Sequence, residues 1–202
     1  MAPHRIRPIA PTKAEIAHLP TFAGLSLEQI FVPATAAEFA AAAAEIFAAG
    51  VTGFDTESKP TFRVGEKSEG PHIVQFALPT KAFIFQLHRP ESRPFVIDLL
   101  QSERVKKVGF GLKSDHTQIQ ARLGVKPRNV LDLDQVFRKA GYRGQIGVRG
   151  AIGALLHQRF PKSKTVTTSN WSLPHLTPGQ LLYAANDAFA ALAIHQVLDL
   201  PA

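Results

Sequence analysis

Cysteine is absent from the 202 residues, which excludes disulfide staples, cysteine zinc sites and thiol nucleophiles. Such a chain must be held by its core. Its location is expected to be the reducing cytoplasm. Long apolar runs are also missing: residues 34–50 are the most apolar stretch, yet they carry Glu38 and Glu45 and are too short to cross a bilayer. The N-terminus has charge with no apolar stretch behind it, so neither an export signal nor a membrane span is expected. The eight histidines form no His-Glu-x-x-His cluster, and no zinc site is expected. Gly141, Gly144, Gly147, Gly150 and Gly153 recur every third residue, but the tract is short and lacks proline. A collagen-like rod is excluded, and the tract reads as a mobile connection entering a helix.

Acids are scarce in one region: none lies between Asp134 and Asp187, while Arg138, Lys139, Arg143, Arg149, Arg159, Lys162 and Lys164 fall inside that gap. Residues 101–164 hold fourteen Lys and Arg against four acids, so this segment carries more than the whole chain's net charge of +7. A polyanionic partner, nucleic acid first, fits that balance. A solvated helical face would have the same charge pattern, and charge alone does not separate the two. With 45% apolar and 19% charged residues the chain has an ordinary globular balance. Residues 1–32 are Pro-rich and aperiodic and read as an arm, leaving 33–202 as one domain.

The Ala-rich run reads as a helix, with Thr35 and Glu38 spaced as a capping box and Gly50 placed to stop it. Residues 51–57, 72–78 and 81–87 are β-rich, the last two separated only by Pro79-Thr80, and suggest an antiparallel meander. Helix and strand then alternate: helices near 91–103 and 113–123, strands at 105–110 and 129–133, then helices at 134–140, 148–159 and 178–199. This order predicts an α/β fold, a mixed five-stranded sheet of antiparallel meander plus parallel strands, flanked by helices.

Acids placed among apolar residues carry the chemistry. In residues 51–57 the period of two puts Asp55 and Glu57 on one side of the strand, with Phe54 and Thr56 on the other. Adjacent carboxylates repel unless a cation lies between them, which suggests a divalent metal; a strand running out into solvent is the other reading. Thr177-Pro178-Gly179-Gln180 opens the last helix as a capping box. Tyr183 and Asp187 share one face of it, and Asp187 interrupts an apolar stripe. A buried unpaired carboxylate costs several kcal/mol, so Asp187 faces a polar cleft or a cation, or the helix edge reaches water. Asp115 falls in the first turn of a helix after a strand and tight turn, where Ser114 or Asp115 would also serve as a simple cap, with Gln118 completing a capping box.

Phe54-Asp55-Thr56-Glu57, then Gly109-Phe110-Gly111-Leu112-Lys113-Ser114-Asp115, then Tyr183-Ala184-Ala185-Asn186-Asp187-Ala188 resemble, in order and spacing, the three exonuclease motifs of the DEDD superfamily of 3′-5′ exonucleases. The resemblance is to the branch with a tyrosine four residues before its last aspartate. The stretch from Lys164 to Ser172, with Ser169-Asn170-Trp171-Ser172 at its end, is similar to the corresponding region of ribonuclease D and of the Werner syndrome helicase's exonuclease domain. Together the resemblance covers residues 35–199. It implies a ribonuclease H-like fold and two divalent cations, Mg2+ or Mn2+, at Asp55, Glu57, Asp115 and Asp187. Asp55 would bridge the two ions, and Tyr183 would position the attacking water.

The implied activity is release of nucleoside 5′-monophosphates from the 3′ end of RNA or DNA. Thr56 and His116 are candidate contacts to the terminal sugar or phosphate, Phe110 to a base and Lys164 to the scissile phosphate, although Phe110 and Trp171 read first as core. Ser58, Ser114 and the glycine tract depart from the commonest family pattern. None of the three departures removes a ligand.

Two other readings compete. Gly109-Phe110-Gly111 after a strand, with Asp132 about twenty residues on, resembles a dinucleotide fingerprint, but Ser114 stands in the third glycine's place. A binding module that kept the fold without turnover is the other.

Overall fold

Thr35 accepts the Glu38 N–H at 3.3 Å while the Glu38 carboxylate takes the Thr35 N–H at 3.0 Å, so the first long helix starts as its spacing predicts. It ends at Gly50, whose φ of +70° suits a residue without a Cβ. The computed structural model describes residues 9–61, 65–66, 68–161 and 164–201. In chain order they form α1 (Lys13–Ala17), β1 (Ile30–Phe31), α2 (Ala36–Ala49), β2 (Val51–Glu57), β3 (Ile73–Leu78), β4 (Lys81–Gln86) and α3 (Arg93–Gln101). There follow β5 (Lys106–Gly109), α4 (Lys113–Leu123), β6 (Val130–Asp132), α5 (Leu133–Lys139), α6 (Gly147–Leu156), α7 (Lys164–Thr167) and α8 (Pro178–Val197).

The strands make one mixed sheet in the order β1-β4-β3-β2-β5-β6. β2, β3 and β4 form the antiparallel meander, and β5 and β6 add in parallel beside β2. All five expected strands are present. The sixth, β1, comes from the arm and pairs in parallel with β4; two residues are too few to show a period of two.

Alternation along the strands sends large apolar side chains to one face. There Phe54, Val74, Phe76 and Phe85 pack with Phe39 and Ile46 of α2, Leu99 of α3 and Ile119 of α4. The opposite face carries Ile73, Ala77, Ala82 and Ile84 against Ala184, Ala185 and Ala188 of α8. Alanine on both sides lets α8 lie close to the sheet. α6 packs beside it, with Val148, Ala151 and Ile152 against Ala190, Ala191 and Ile194.

The arm is docked rather than loose over its described length. Phe22 and Leu25 are buried, the Phe22 N–H donates to the Arg159 carbonyl at 3.0 Å, and the Arg159 N–H donates to the Pro20 carbonyl at 2.8 Å. Asn186 on α8 clasps Leu25, accepting its N–H at 2.6 Å and donating to its carbonyl at 3.2 Å. Gly141, Gly144 and Gly147 all have positive φ, and the helix they lead into stops at Leu156, earlier than expected, because His157 turns left-handed. Among the described residues no helix is long and apolar enough to cross a membrane.

Candidate metal and nucleic-acid site

β2 and β5 run parallel side by side, so their C-terminal ends open onto one crevice, where an α/β sheet most readily accepts a ligand. Asp55 and Glu57 point from β2 toward α8. Asp187 meets them because Gly53 has no side chain: a Cβ there would stand 1.9 Å from the Ala188 carbonyl oxygen. Asp55, Glu57 and Asp187 each bring a carboxylate oxygen within 4.8 Å of the others.

Asp115 arrives from the opposite layer, on the first turn of α4. Its Oδ1 accepts the Thr56 hydroxyl at 2.5 Å and its Oδ2 the Ser114 hydroxyl at 3.4 Å. The capping alternative for Asp115 does not hold, because Leu112 is the N-cap and α4 has no side-chain cap. Thr56, on the other face of β2, thus reaches Asp115, and its N–H donates to Asp55 Oδ1 at 2.9 Å.

Burial pushes the Asp55 carboxyl well above the usual carboxylate range, and the charges of Asp115, Glu57 and Asp187 push it further. Burial raises Asp115 too, against the hydrogen bond from Thr56. Neither forms an ion pair among the described residues. Four carboxylates converging at this cost are a donor set of hard oxygens, which fits divalent cations such as Mg2+ or Mn2+.

A pocket of about 190 Å³ opens onto Asp55 and Asp187, walled by Phe54, Phe110, Asp134, Gly147 and Val148. Phe110 lies 6.4 Å from Phe137, ring to ring, and is half-buried, so one edge belongs to the core and the rest to the pocket. Asp134 is a fifth acid here, unforeseen from sequence. Its Oδ1 accepts the Gly147 N–H at the start of α6 at 2.9 Å, and burial raises its pKa. The signal available was an Asp-Leu-Asp run ending a strand, but period alone does not say which acid faces a cleft. Asp132 serves the backbone, accepting N–H groups of Gly111 at 3.0 Å, Leu112 at 3.2 Å and Asp134 at 3.0 Å. It is thereby committed to the turn after β5, leaving the dinucleotide reading without its ribose-binding acid.

Tyr183 sits one turn before Asp187. Its hydroxyl accepts a hydrogen bond from Thr167 at 3.1 Å and its ring lies 5.9 Å from Trp171. Trp171 is core, 1% exposed, with its indole N–H on the Thr167 carbonyl at 3.3 Å. His116 is half-buried on α4, and its Nε2 has no hydrogen-bond partner among the described residues. The side chain of Lys164, like all of Lys162, lies outside the described residues.

Gln75 also escaped the sequence reading. It is fully buried on β3, directly opposite Asp55 in the antiparallel register, and neither its amide oxygen nor its nitrogen has a hydrogen-bond partner among the described residues. Opposed residues in such a pair share a face with Cβ atoms about 5 Å apart. An amide donor is thus held next to a carboxylate whose pKa burial and neighbouring charges raise.

Residues 30–200 match the sequence model of a family described as 3′-5′ exonuclease. The bifunctional 3′-5′ exonuclease/ATP-dependent helicase WRN of Mus musculus is 31% identical over 150 residues, 73% of this chain and 11% of that protein. A 3′-5′ exonuclease of Arabidopsis thaliana is 30% identical over 155 residues, 74% of this chain and 53% of that protein. The chain thus corresponds to no more than about half the length of either relative. In three dimensions it is similar to Trypanosoma brucei RNase D, solved in complex with RNA U12, with a TM-score of 0.74 and 20% identity over 92% of this chain and 64% of that one. At that identity the likeness speaks to the fold, which is ribonuclease H-like.

Proposed function

Since this chain belongs to the 3′-5′ exonuclease family, we propose that it removes nucleotides one at a time from the 3′ end of a single nucleic-acid strand, releasing nucleoside 5′-monophosphates. The observation that carries this reading is the meeting of Asp55, Glu57 and Asp187 within 4.8 Å, with Asp115 close enough to raise the Asp55 pKa. These four acids would hold two divalent cations, Mg2+ or Mn2+. Bound there, such ions lower the pKa of a water molecule and stabilise both the entering and departing oxygens of an in-line displacement.

The chain's own residues supply the rest. The water oxygen bonds to phosphorus, the bond from phosphorus to the preceding O3′ breaks, and that oxygen takes up a proton, so each turn consumes one water and restores a 3′-hydroxyl. A phenol has an ordinary pKa of about 10 and is a weak base at neutral pH, so Tyr183 would orient the water by hydrogen bonding. Thr56 holds Asp115 in place through its hydroxyl. Phe110 and Val148 give apolar walls against which a terminal base can stack. The neighbour's RNA complex supports a nucleic-acid strand as substrate.

The test is digestion of matched RNA and DNA strands labelled at the 5′ end, with Mg2+ or Mn2+ and then with chelator. Stepwise shortening is expected, halted by chelator. Asp55→Ala should lower the rate about a thousandfold, the worth of about 4 kcal/mol of lost charge stabilisation. Binding without shortening in either metal would overturn the reading.

A further inference from the structure

α1 of the arm packs on α6 at glycine: a Cβ on Gly153 would meet Ile16 at 2.9 Å and Pro11 at 3.2 Å. This close approach leaves a groove of about 520 Å³, lined by Lys13 and Ile16 on one side and Arg143, Ile146, Arg149 and Arg159 on the other. No acid lines it. The four cations are exposed and none forms an ion pair among the described residues. Arg159 donates to the Thr21 hydroxyl at 2.9 Å, which fixes its direction without neutralising it. The nearby acid of α1, Glu15, is committed to Thr12, accepting its N–H at 2.6 Å and its hydroxyl at 2.8 Å.

Like charges gathered around one groove repel, and a polyanion turns that repulsion into attraction. The groove and the acid site take their linings from neighbouring residues of one segment. Ile146 lines the groove, while the next two residues, Gly147 and Val148, line the pocket of Asp55 and Asp187. Phe160 lines both the groove and the pocket beside Tyr183.

We propose that this groove is a second nucleic-acid contact, a track for the backbone phosphates of a single strand upstream of the bond being cut, with residues 10–17 of the arm as one wall. The inference rests on the nuclease reading for the direction of the strand. Guanidinium groups suit this role because they bind phosphate oxygens through paired N–H donors. A strand too short to leave the acid site gains nothing from the groove, so its contribution depends on substrate length.

The test uses the full chain and the double variant Arg143→Gln, Arg149→Gln. Both side chains are exposed, and unchanged melting temperature controls for folding. Binding of a labelled twelve-nucleotide single strand is measured in chelator between 50 and 200 mM salt. Each phosphate contact on a single strand contributes about 0.7 to the slope of log affinity against log salt, so the double variant is expected to lower that slope by about 1.4. In Mn2+ the KM for the twelve-mer should rise about tenfold, with kcat and all hydrolysis of a dinucleotide unchanged. An unchanged slope, or equal losses on long and short substrates, overturns the groove. A chain that cuts nothing while its salt slope falls as stated refutes the nuclease reading and leaves the phosphate contact standing.

Discussion

The carbonyl oxygen of Ala188 fills the space that a Cβ on Gly53 would need, 1.9 Å from where that carbon would stand. Backbone meets backbone there, so neither side can yield by changing a rotamer. Gly53 is two residues from Asp55 and Ala188 follows Asp187, so this contact sets the separation of the two acids. Gly53→Ala should destabilise the fold by about 3 kcal/mol through overpacking. The surviving folded protein should lose metal affinity. Denaturant unfolding and Mn2+ titration of the same sample check both; unchanged metal affinity would mean the acids are positioned by something else.

The acids oppose folding when no cation is present. Asp55 and Asp115 have raised pKa values in the folded chain, so at a pH between the usual value of 3.8 and the raised ones the folded state holds protons that the unfolded state has released. Their contribution to stability is fully present below that value and is lost as pH rises through the raised ones. In chelator, Asp55→Asn should therefore melt above the wild type at pH 8, by about 2 to 4 °C, with the difference closing as the pH falls. Wild type should gain more from Mg2+ or Ca2+ at pH 8 than at pH 5. A variant that melts lower than wild type at pH 8 contradicts this.

Opposite Asp55 in the core, neither polar atom of the Gln75 amide has a partner among the described residues, and each unsatisfied atom costs about 1 to 3 kcal/mol. An amide retained at that expense is expected to support the acid site. Gln75→Met should leave the chelated protein equally or more stable while weakening Mn2+ binding about tenfold to a hundredfold, as removal of an outer partner does. A loss of stability with intact metal affinity would assign Gln75 to the core alone.

The Tyr183 hydroxyl accepts from Thr167, one helical turn from Asp187. Tyr183→Phe should cost about 1 kcal/mol of stability, the worth of one hydrogen bond, and lower kcat about a hundredfold, within the range of a positioned proton-transfer or orienting group. Single-turnover kinetics separate that step from strand binding, which should not change.

The sequence made Asp55, Glu57 and Asp187 legible because a charge breaking an apolar period is conspicuous in either a strand or a helix. Asp115 was ambiguous, since an acid in a first helical turn has an ordinary capping use; its hydrogen bond from Thr56, near the end of β2, ties it to the strand that carries Asp55 and Glu57. Gln75 and Asp134 were not legible, because polar side chains with local uses are common and their significance lies in which strand or helix stands opposite. The arm is aperiodic in sequence because α1 and β1 are too short to show a period. What fixes it is a long-range clasp, Asn186 on Leu25. Likewise Gly153 reads in sequence as one of a glycine tract entering a helix, whereas in the fold it is the seat for Ile16 and Pro11.

We propose that the four acids cut the last phosphodiester of a strand. The most direct measurement of this is the first product from a strand labelled at its 3′-terminal nucleotide, in Mn2+, for wild type and Asp187→Asn. Wild type is expected to release the label at once as a nucleoside 5′-monophosphate, chelator to stop it, and the variant to release almost none. Label appearing first in longer fragments, or released equally by the variant, would contradict it.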